Sequence, residues 1–223
     1  MGKTQALRDG LDALLTVVFG ASCAACGELL EHPTRGPVCD ACWRSIAALT
    51  PSAFDISSAI DHAQAIGPYE GALRSVIHAL KYEGRRSLAQ PLAALMRDRC
   101  KLALDGADAA VPVPLHASRR RERGFNQALD LARGLGLPVA KCITRVRATE
   151  SQITLPAADR HRNILDAFAP ARLTRSISGR IVVLVDDVST TGATLDECAR
   201  VLKAMGACEV RAVTAARVAT LPR

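Results

Sequence analysis

The segment Ile181–Thr194 places two aspartates directly after a run of apolar residues and directly before a turn rich in hydroxyl side chains. The run Ile181–Val185 contains only leucine and β-branched residues, which favours a strand that is buried on both faces of a parallel sheet. In such sheets, ligands bind beyond the carboxyl ends of the strands. The sequence therefore predicts an α/β fold with a binding site around Asp186 and Asp187.

The turn that follows the two aspartates is predicted to hold a phosphate group. Apolar residues on one face between Leu195 and Leu202 predict a helix that begins just after Gly192 and ends near Gly206. Backbone N–H groups and the positive end of the dipole at the start of this helix favour an anion, and glycine lets the backbone close around it. The candidate phosphate ligands are Ser189, Thr190, Thr191, Gly192, Ala193 and Thr194.

The two carboxylates suit the hydroxyl groups of a sugar, because an ionised carboxylate only accepts hydrogen bonds. The segment as a whole therefore predicts a site for a ribose 5-phosphate. Two alternatives remain: an ordinary strand, turn and helix in which the hydroxyls cap the helix, or aspartates that bind magnesium directly. Other phosphate motifs fit less well, since Gly134 and Gly136 lack the third glycine of a dinucleotide fingerprint.

Four N-terminal cysteines form a second pattern, in which two Cys-x2-Cys pairs are separated by twelve residues: Cys23, Cys26, Cys39 and Cys42. Each pair offers two thiolates from one tight bend, and both pairs can converge on one tetrahedral Zn²⁺ with bonds of about 2.3 Å. Two disulfides, redox-active pairs and an iron site are the alternatives. The other cysteines are isolated and are predicted to be buried thiols in a reducing cytoplasm: Cys100, Cys142, Cys198 and Cys208.

The length of 223 residues and the hydrophobic content of 49% support one large core and a small module held by metal. We predict a zinc module with a leading amphipathic helix over residues 1–52 and an α/β domain over residues 53–223. The apolar run Leu14–Phe19 is similar to part of a secretion signal, but Asp12 interrupts the apolar stretch just before it, and we expect a helix that packs on the zinc module. No run reaches the roughly twenty apolar residues of a membrane span, and we expect a cytoplasmic protein.

Apolar spacing in the rest of the chain predicts alternating strands and helices. The predicted strands are Ala63–Ile66, Ala109–Pro114, Val139–Ile143 and Glu209–Thr214, and the predicted helices are Leu73–Leu80, Leu88–Cys100 and Asn126–Arg133. Between Leu115 and Gln127 we predict a loop, which carries four arginines within five positions: Arg119, Arg120, Arg121 and Arg123. At least half of these arginines are expected to form an ordinary solvated basic face.

Further motifs extend the pattern over nearly the whole chain: Val111–Leu115, Arg123–Ala128, Thr149-x2-Gln152, Arg160-x2-Asn163 and Phe168. The segment Val182–Thr194 resembles the ribose-phosphate signature of the type I phosphoribosyltransferases. Together with the cysteine pairs, the motifs resemble the ComF family of competence-associated, phosphoribosyltransferase-like proteins from about Leu14 to Thr214. This resemblance implies a parallel sheet flanked by helices, with a small N-terminal four-cysteine zinc ribbon.

The resemblance also implies roles for particular residues. The turn Ser189–Thr194 would grip the 5-phosphate of phosphoribosyl pyrophosphate, which carries Mg²⁺, and Asp186 and Asp187 would bind the ribose hydroxyls. Arg119 and Arg123 would lie in the loop that meets the pyrophosphate. The segment Arg145–Phe168, with Gln152 and Arg160 as candidate substrate contacts, would form a hood and mobile loop that closes over the substrate.

Three functions follow as expectations. The first is a magnesium-dependent phosphoribosyltransferase of unspecified acceptor, and the second is a competence factor that handles single-stranded DNA. The third is a regulator that senses a nucleotide sugar without turnover. The net charge of +7 permits a polyanionic partner, but aromatic residues make up only 3% of the chain, so a base-stacking platform is poorly supplied. Any contact with DNA should therefore be electrostatic and sensitive to salt.

Overall fold

The computed structural model of the chain describes residues 2–54, 56–147, 164, 166–172 and 176–218. Its internal contacts divide the chain into two compact units. The first unit comprises Met1–Leu49 and Glu70–Leu88, and the second comprises Thr50–Tyr69 and Ala89–Arg223. The predicted domain boundary after residue 52 stays a prediction.

The first unit is helical and small. Its elements are α1 (Gly2–Phe19), a 3₁₀ turn (Pro33–Arg35), α2 (Asp40–Ala47), α3 (Gly71–Tyr82) and a second 3₁₀ turn (Arg86–Leu88). Helix α3 confirms the helix predicted from its apolar spacing, because one of its faces is buried and it contacts α2. The buried residues of that face are Leu73, Val76, Ile77, Ala79 and Leu80.

Helix α1 is attached to the cysteine-containing segment by polar side chains. Asp12 is only 4% exposed and accepts a hydrogen bond of 2.8 Å from the backbone N–H of Thr34, and its other carboxylate oxygen lies 3.3 Å from His32 Nδ1. Burial raises the pKa of Asp12, but these hydrogen bonds outweigh it and hold the pKa below its ordinary value. One turn further on, the Thr16 hydroxyl donates to the Leu30 carbonyl over 2.7 Å.

The apolar side of α1 faces solvent instead of the module: Leu7, Leu11, Leu14, Val17 and Val18 are all exposed. The expected helix is therefore present, and it contacts the Pro33–Arg35 turn through polar side chains while its apolar side is exposed. The physical reason is that a buried carboxylate can satisfy a backbone N–H of the loop, which an apolar side chain cannot do. In the described part of the chain, no helix is long and apolar enough to cross a membrane.

The second unit contains a five-stranded sheet with the order β1-β2-β7-β6-β3. Its strands are β1 (Ser52–Ala53), β2 (His62–Pro68), β3 (Ala109–Pro112), β6 (Ile181–Ser189) and β7 (Glu209–Arg217). Strand β1 pairs antiparallel with β2, and all other neighbours are parallel. A separate antiparallel ribbon consists of β4 (Ile143–Arg145) and β5 (Phe168–Pro170). The helices are α4 (Ala89–Arg99), α5 (Lys101–Leu104), α6 (Ala117–Arg123), α7 (Gln127–Arg133) and α8 (Ala193–Ala204).

The apolar run in β6 has the burial that its composition predicts. All residues from Val182 to Val185 are fully buried, and β6 contacts both α7 and α8. A strand with helices on both faces has no solvent-facing side, which explains why its residues do not alternate with polar ones. The predicted α/β class with a parallel sheet is confirmed.

Two predictions about the middle of the chain are wrong. The strand predicted over Val139–Ile143 is absent from the main sheet, where Val139 makes a single bridge to Ala110, and the strand that forms instead is β4. Pro138 has no N–H to extend that bridge into a ladder. The segment Leu115–Gln127, predicted as a loop, contains α6. Arginine and alanine are good helix formers, and His116 and Gly124 cap the two ends of this helix.

Candidate functional site

Parallel pairing brings the carboxyl ends of four strands to one edge of the sheet. Pro112 of β3 is paired with Val185 of β6, and Ser189 at the end of β6 is paired with Arg217 of β7, which in turn is paired with Pro68 of β2. The two predicted aspartates lie in β6 at this edge. The position agrees with the general rule for ligand sites in open α/β sheets.

The two aspartates have different surroundings because successive strand residues point to opposite faces of the sheet. Asp186 is half-buried on the face covered by α8, where it interacts electrostatically with Cys198. Burial raises the pKa of the Cys198 thiol, and the charge of Asp186 adds to this effect. Asp187 is only 3% exposed and points to the other face, while its backbone N–H donates to Asp186 Oδ1 over 2.9 Å.

Gly192 shapes the turn between β6 and α8. Its φ of 79° is in the left-handed region, and a Cβ atom there would lie 2.5 Å from Ile56 Cγ2. Its carbonyl accepts the first helical hydrogen bond of α8, from the Asp196 N–H at 2.9 Å. Glycine is therefore needed both for the backbone conformation and for the close approach of Ile56.

The turn gathers the predicted phosphate ligands at the start of α8. Ser189 is buried, whereas Thr190, Thr191 and Thr194 are half-buried. The Ala193 N–H is 3.5 Å from Thr191 Oγ1, which is a long contact. The N–H groups and hydroxyls of the first turn thus lie together beside Asp186, with the positive end of the helix dipole behind them.

The arginine-rich segment forms the short helix α6 next to the end of β3. His116 caps its start by accepting a hydrogen bond from the Ser118 N–H at 3.3 Å, and Gly124, with a φ of 77°, ends it. Arg119 and Arg123 lie one turn apart and are half-buried, whereas Arg120 and Arg121 are exposed. The helix thus divides the four arginines into an inner and an outer pair.

The motif that follows α6 fixes the position of this helix. Asn126 Nδ2 donates to the Val113 carbonyl over 3.0 Å, and Asn126 Oδ1 accepts from the Ala128 N–H over 3.0 Å at the start of α7. Arg123 Nη1 donates to Gln127 Oε1 over 2.7 Å. Asn126 thus connects the end of β3 to α7. Its position before an apolar helical run is the sequence signal for such a cap.

Arg145 is a residue at the site that the sequence analysis did not select. It is paired with Phe168 across the β4–β5 ribbon, and its guanidinium carbon lies 5.3 Å from the centre of the Phe168 ring. The guanidinium interacts electrostatically with Asp186 and with Arg119. Gln152 and Arg160, the two candidate substrate contacts in the predicted hood, lie outside the described residues.

The four N-terminal cysteines converge, as the spacing predicts. Their Sγ atoms all lie within 4.8 Å of one another, and the Sγ atoms of Cys26 and Cys39 are 3.9 Å apart. Tetrahedral thiolates at Zn–S bonds of about 2.3 Å would be separated by roughly 3.8 Å, so the cluster has the size of a zinc site.

Backbone donors favour the thiolate form of Cys23 in this cluster. Burial raises the pKa of Cys23, but the N–H groups of Cys39, Cys26 and Ala25 outweigh it and lower the pKa to about 6. Burial raises the pKa of Cys42, as does the proximity of the other thiols. Neighbouring thiolates repel one another, and a cation bound by all four sulfurs would offset this repulsion.

Comparison with known proteins identifies the family. The phosphoribosyl transferase domain family matches residues 121–221. The chain is 35% identical over 199 residues to the DNA utilization protein YhgH of Salmonella typhimurium, and the match covers 85% of this chain and 81% of that protein. It is 36% identical over 156 residues to competence protein F of Haemophilus influenzae, which covers 66% of this chain and 68% of that protein. The chain belongs to the ComF family.

The ComF chain is also similar in structure to a solved purine phosphoribosyltransferase from Pyrococcus horikoshii. The TM-score is 0.37 at 19% sequence identity, and the alignment covers 60% of this chain and 77% of that one.

The structure assembles most of the predicted site of the ComF chain at one sheet edge. Asp186, Asp187 and the turn Ser189–Thr194 lie together there, and their roles towards a ligand stay predictions. Of the isolated cysteines, Cys100, Cys142 and Cys198 are buried as predicted. Cys208 is exposed, and the prediction of a buried thiol is wrong there, because this residue lies in the turn between α8 and β7.

Replacement of Gly192 by alanine should destabilise the ComF chain through two separable effects. Left-handed backbone strain costs about 1–2 kcal/mol for a residue with a Cβ atom, and the clash with Ile56 should add to this. Gly106 is a matched control, because its φ of 74° is similar but a Cβ atom there meets nothing within 4 Å. The free energy of unfolding in urea should therefore fall further for Gly192→Ala than for Gly106→Ala.

In a chain that already carries Ile56→Ala, Gly192→Ala should lower the free energy of unfolding by less, because the clash is absent. The loss that remains should be that of the left-handed backbone strain. Equal destabilisation by Gly192→Ala and Gly106→Ala would contradict the close packing of Ile56 on the turn.

Proposed function

We propose that this ComF-family chain binds phosphoribosyl pyrophosphate with Mg²⁺ and acts as a phosphoribosyltransferase. One observation carries the proposal: a half-buried carboxylate, Asp186, lies beside the glycine turn that opens α8 at the carboxyl edge of a parallel sheet. Acceptors for sugar hydroxyls and donors for a phosphate are thereby adjacent, which is the arrangement that a ribose 5-phosphate requires.

The residues of the turn would bind the 5-phosphate through Ser189, Thr190, Thr191, Gly192, Ala193 and Thr194. Asp186 would accept hydrogen bonds from the ribose hydroxyls. Asp187 is more deeply buried and points away from α8, so its contribution should differ from that of Asp186. The sugar would then be held at both ends, with its anomeric carbon directed towards the end of β3 and helix α6.

Transfer breaks the bond between the anomeric carbon and pyrophosphate, so negative charge accumulates on the departing group. Arg119 and Arg123, on the inner side of α6, would stabilise this charge. Mg²⁺ bound with the substrate would supply further neutralisation of the pyrophosphate. Gln152 and Arg160 are proposed as substrate contacts in a hood whose closure would exclude water as a competing acceptor.

The cysteine cluster is proposed to hold a structural Zn²⁺ through Cys23, Cys26, Cys39 and Cys42. The spacing of the sulfurs and the N–H donors on Cys23 Sγ support this metal. We place the protein in the cytoplasm, because the buried thiols of Cys100, Cys142 and Cys198 suit a reducing compartment. We also retain the two domains proposed from the sequence, a zinc ribbon over residues 1–52 and a phosphoribosyltransferase-like domain over residues 53–223.

A second candidate function is the handling of single-stranded DNA or a role with competence machinery. The names of two relatives, a DNA utilization protein and a competence protein, favour it. The net charge of +7 and the exposed arginines on the outer side of α6 would supply electrostatic contacts to a nucleic-acid backbone.

Binding of phosphoribosyl pyrophosphate should be measurable by calorimetric titration in the presence of Mg²⁺. Replacing Asp186 and Asp187 together by asparagine removes two negative charges at similar side-chain size, and it should weaken binding by at least about tenfold, a loss of about 1.4 kcal/mol. Asp105, which lies in the turn after α5, offers a control, and Asp105→Asn should leave the affinity unchanged. No binding by the intact chain would refute the proposal.

Turnover requires a second measurement on the same protein. Incubation with phosphoribosyl pyrophosphate and a panel of nucleobases and amines should release pyrophosphate with at least one acceptor. Binding without release under any acceptor would instead support a regulator that senses the ligand.

The metal proposal predicts about one equivalent of Zn²⁺ per chain after purification, measured by elemental analysis. Cys26→Ser or Cys39→Ser should lower this content markedly, because three thiolates leave the tetrahedral shell incomplete. Cys208→Ser is the control and should retain the metal, since Cys208 lies outside the cluster. Iron in place of zinc, or disulfides found by mass spectrometry, would contradict the assignment.

The DNA proposal predicts a mobility shift with single-stranded DNA that weakens steeply as salt increases. Each phosphate contact contributes about 0.7 to the slope of log affinity against log salt, so Arg120→Gln with Arg121→Gln should reduce the slope by roughly 1.4. No shift at low ionic strength would count against direct DNA binding.

A further inference from the structure

The exposed side of helix α1 carries a regular apolar stripe, which consists of Leu7, Leu11, Leu14 and Val18. The intervals of four, three and four residues are those of the a and d positions of a coiled coil, the pattern by which one helix packs on another. At about 100° per residue, the four side chains fall within an arc of about 60°. Each of these residues is between 47% and 74% exposed, so the stripe faces solvent in the single chain.

The opposite side of α1 is attached to the cysteine-containing segment, so the stripe cannot turn inwards. Asp12 accepts a hydrogen bond of 2.8 Å from the Thr34 N–H, and the Thr16 hydroxyl donates to the Leu30 carbonyl over 2.7 Å. Asp12 and Thr16 lie at least about 100° around the helix from every residue of the stripe. Rotation of α1 to bury the stripe would break both hydrogen bonds. A cover for the stripe therefore has to come from another molecule.

The stripe has the same spacing when it is followed from either end, which makes it complementary to itself. In an antiparallel pair of α1 helices, Leu11 meets Leu14 of the second copy, and Leu7 meets Val18 of the second copy. Such a contact has two-fold symmetry and is complete with two copies. The two Arg8 side chains would lie roughly 13 Å apart along the helix axis, more than a Debye length, whereas a parallel pair would place them at the same level.

The composition and the size of this surface also fit a second copy. Between Gly10 and Val18 the charged residue is Asp12, which is buried on the other side of the helix, so the surface offers no charge to a nucleic-acid backbone. Together with the neighbouring Val17, which is 83% exposed, the stripe presents on the order of 500 Å² of apolar surface. Two copies would bury about 1,000 Å², which is the lower limit for a specific interface and suits a reversible dimer.

We propose that α1 is a dimerisation helix on which a second copy of this chain packs antiparallel, with Leu11 against Leu14. Because Asp12 and Thr16 attach α1 to the cysteine-containing segment, the dimer would join two cysteine modules. None of these residues belongs to the candidate site at the sheet edge. The dimer and the binding of phosphoribosyl pyrophosphate can therefore fail independently of each other.

Analytical ultracentrifugation of the intact chain should show a reversible equilibrium between monomer and dimer, with a Kd on the order of micromolar. Leu11→Gln with Leu14→Gln should weaken this association at least about tenfold, because both central contacts of the pair lose their apolar side chains. Ala13→Gln is the matched control, since Ala13 is exposed on the same helix but lies about 100° from the nearest residue of the stripe. The control should keep the affinity of the intact chain within about twofold, and both variants should retain the circular dichroism spectrum of the intact chain.

Exchange of charges tests the antiparallel arrangement. Leu11→Lys and Leu14→Glu should each weaken the dimer at least about tenfold, because each places an unpaired charge in the apolar contact. A chain that carries both substitutions should recover part of the affinity, since each new ammonium group would meet a carboxylate of the second copy. In a parallel pair like charges would meet instead, and the chain with both substitutions would associate no better than either single variant.

Three results would overturn the inference. The first is an intact chain that stays monomeric at about a hundred times the expected Kd. The second is a dimer that is unaffected by the Leu11 and Leu14 substitutions, or one in which the exchange of charges recovers nothing. The third is a monomeric chain that cosediments with phosphatidylcholine vesicles unless Leu11 and Leu14 are replaced, which would assign the stripe to a lipid surface.

Discussion

The parallel pairing of β6 with β3 and β7 is the constraint on which the rest of the second unit depends. Val182–Val185 are fully buried between helices, and burial of each such side chain contributes about 1.5–3 kcal/mol. These apolar residues hold the strand between β7 and β3, so its carboxyl end, with Asp186, is fixed next to the ends of its neighbours. The position of the polar residues at the sheet edge is thus set by apolar residues several positions earlier.

The turn after β6 is fixed by packing from a distant part of the sequence. Gly192 adopts a left-handed conformation and is in close contact with Ile56, so the turn is held from outside by a side chain from a distant part of the sequence. The N–H groups at the start of α8 would then be preorganised for the proposed anion, because the backbone would not need to rearrange. Asp186 lies on the α8 side of the strand, whereas Asp187 does not, which gives the two carboxylates unequal access to such a ligand.

The sequence predicts the parts of the fold and of the candidate site in which one short segment determines its own structure. The buried strand, the glycine turn, helix α8 and the convergence of Cys23 to Cys42 all have local signals of this kind. The pairing of Arg145 with Phe168 has no such signal, because the two residues are 23 positions apart in the sequence. The polar contact face of α1 has no local signal for a related reason: periodicity identifies the apolar side of a helix, but only the partner loop at Thr34 determines that Asp12 is buried.

Helix α6 gives the members of one arginine cluster two different environments. In a loop, four neighbouring arginines would share one environment, but in a helix each residue is rotated by about 100° from the last, which places Arg119 and Arg123 about 40° apart. Those two are half-buried and Arg119 interacts with Arg145, whereas Arg120 and Arg121 are exposed. The His116 cap and Gly124 keep this division in place. A small phosphorylated ligand on the inner side and a polyanion on the outer side would therefore contact different arginines, so the two proposed functions do not compete for the same side chains.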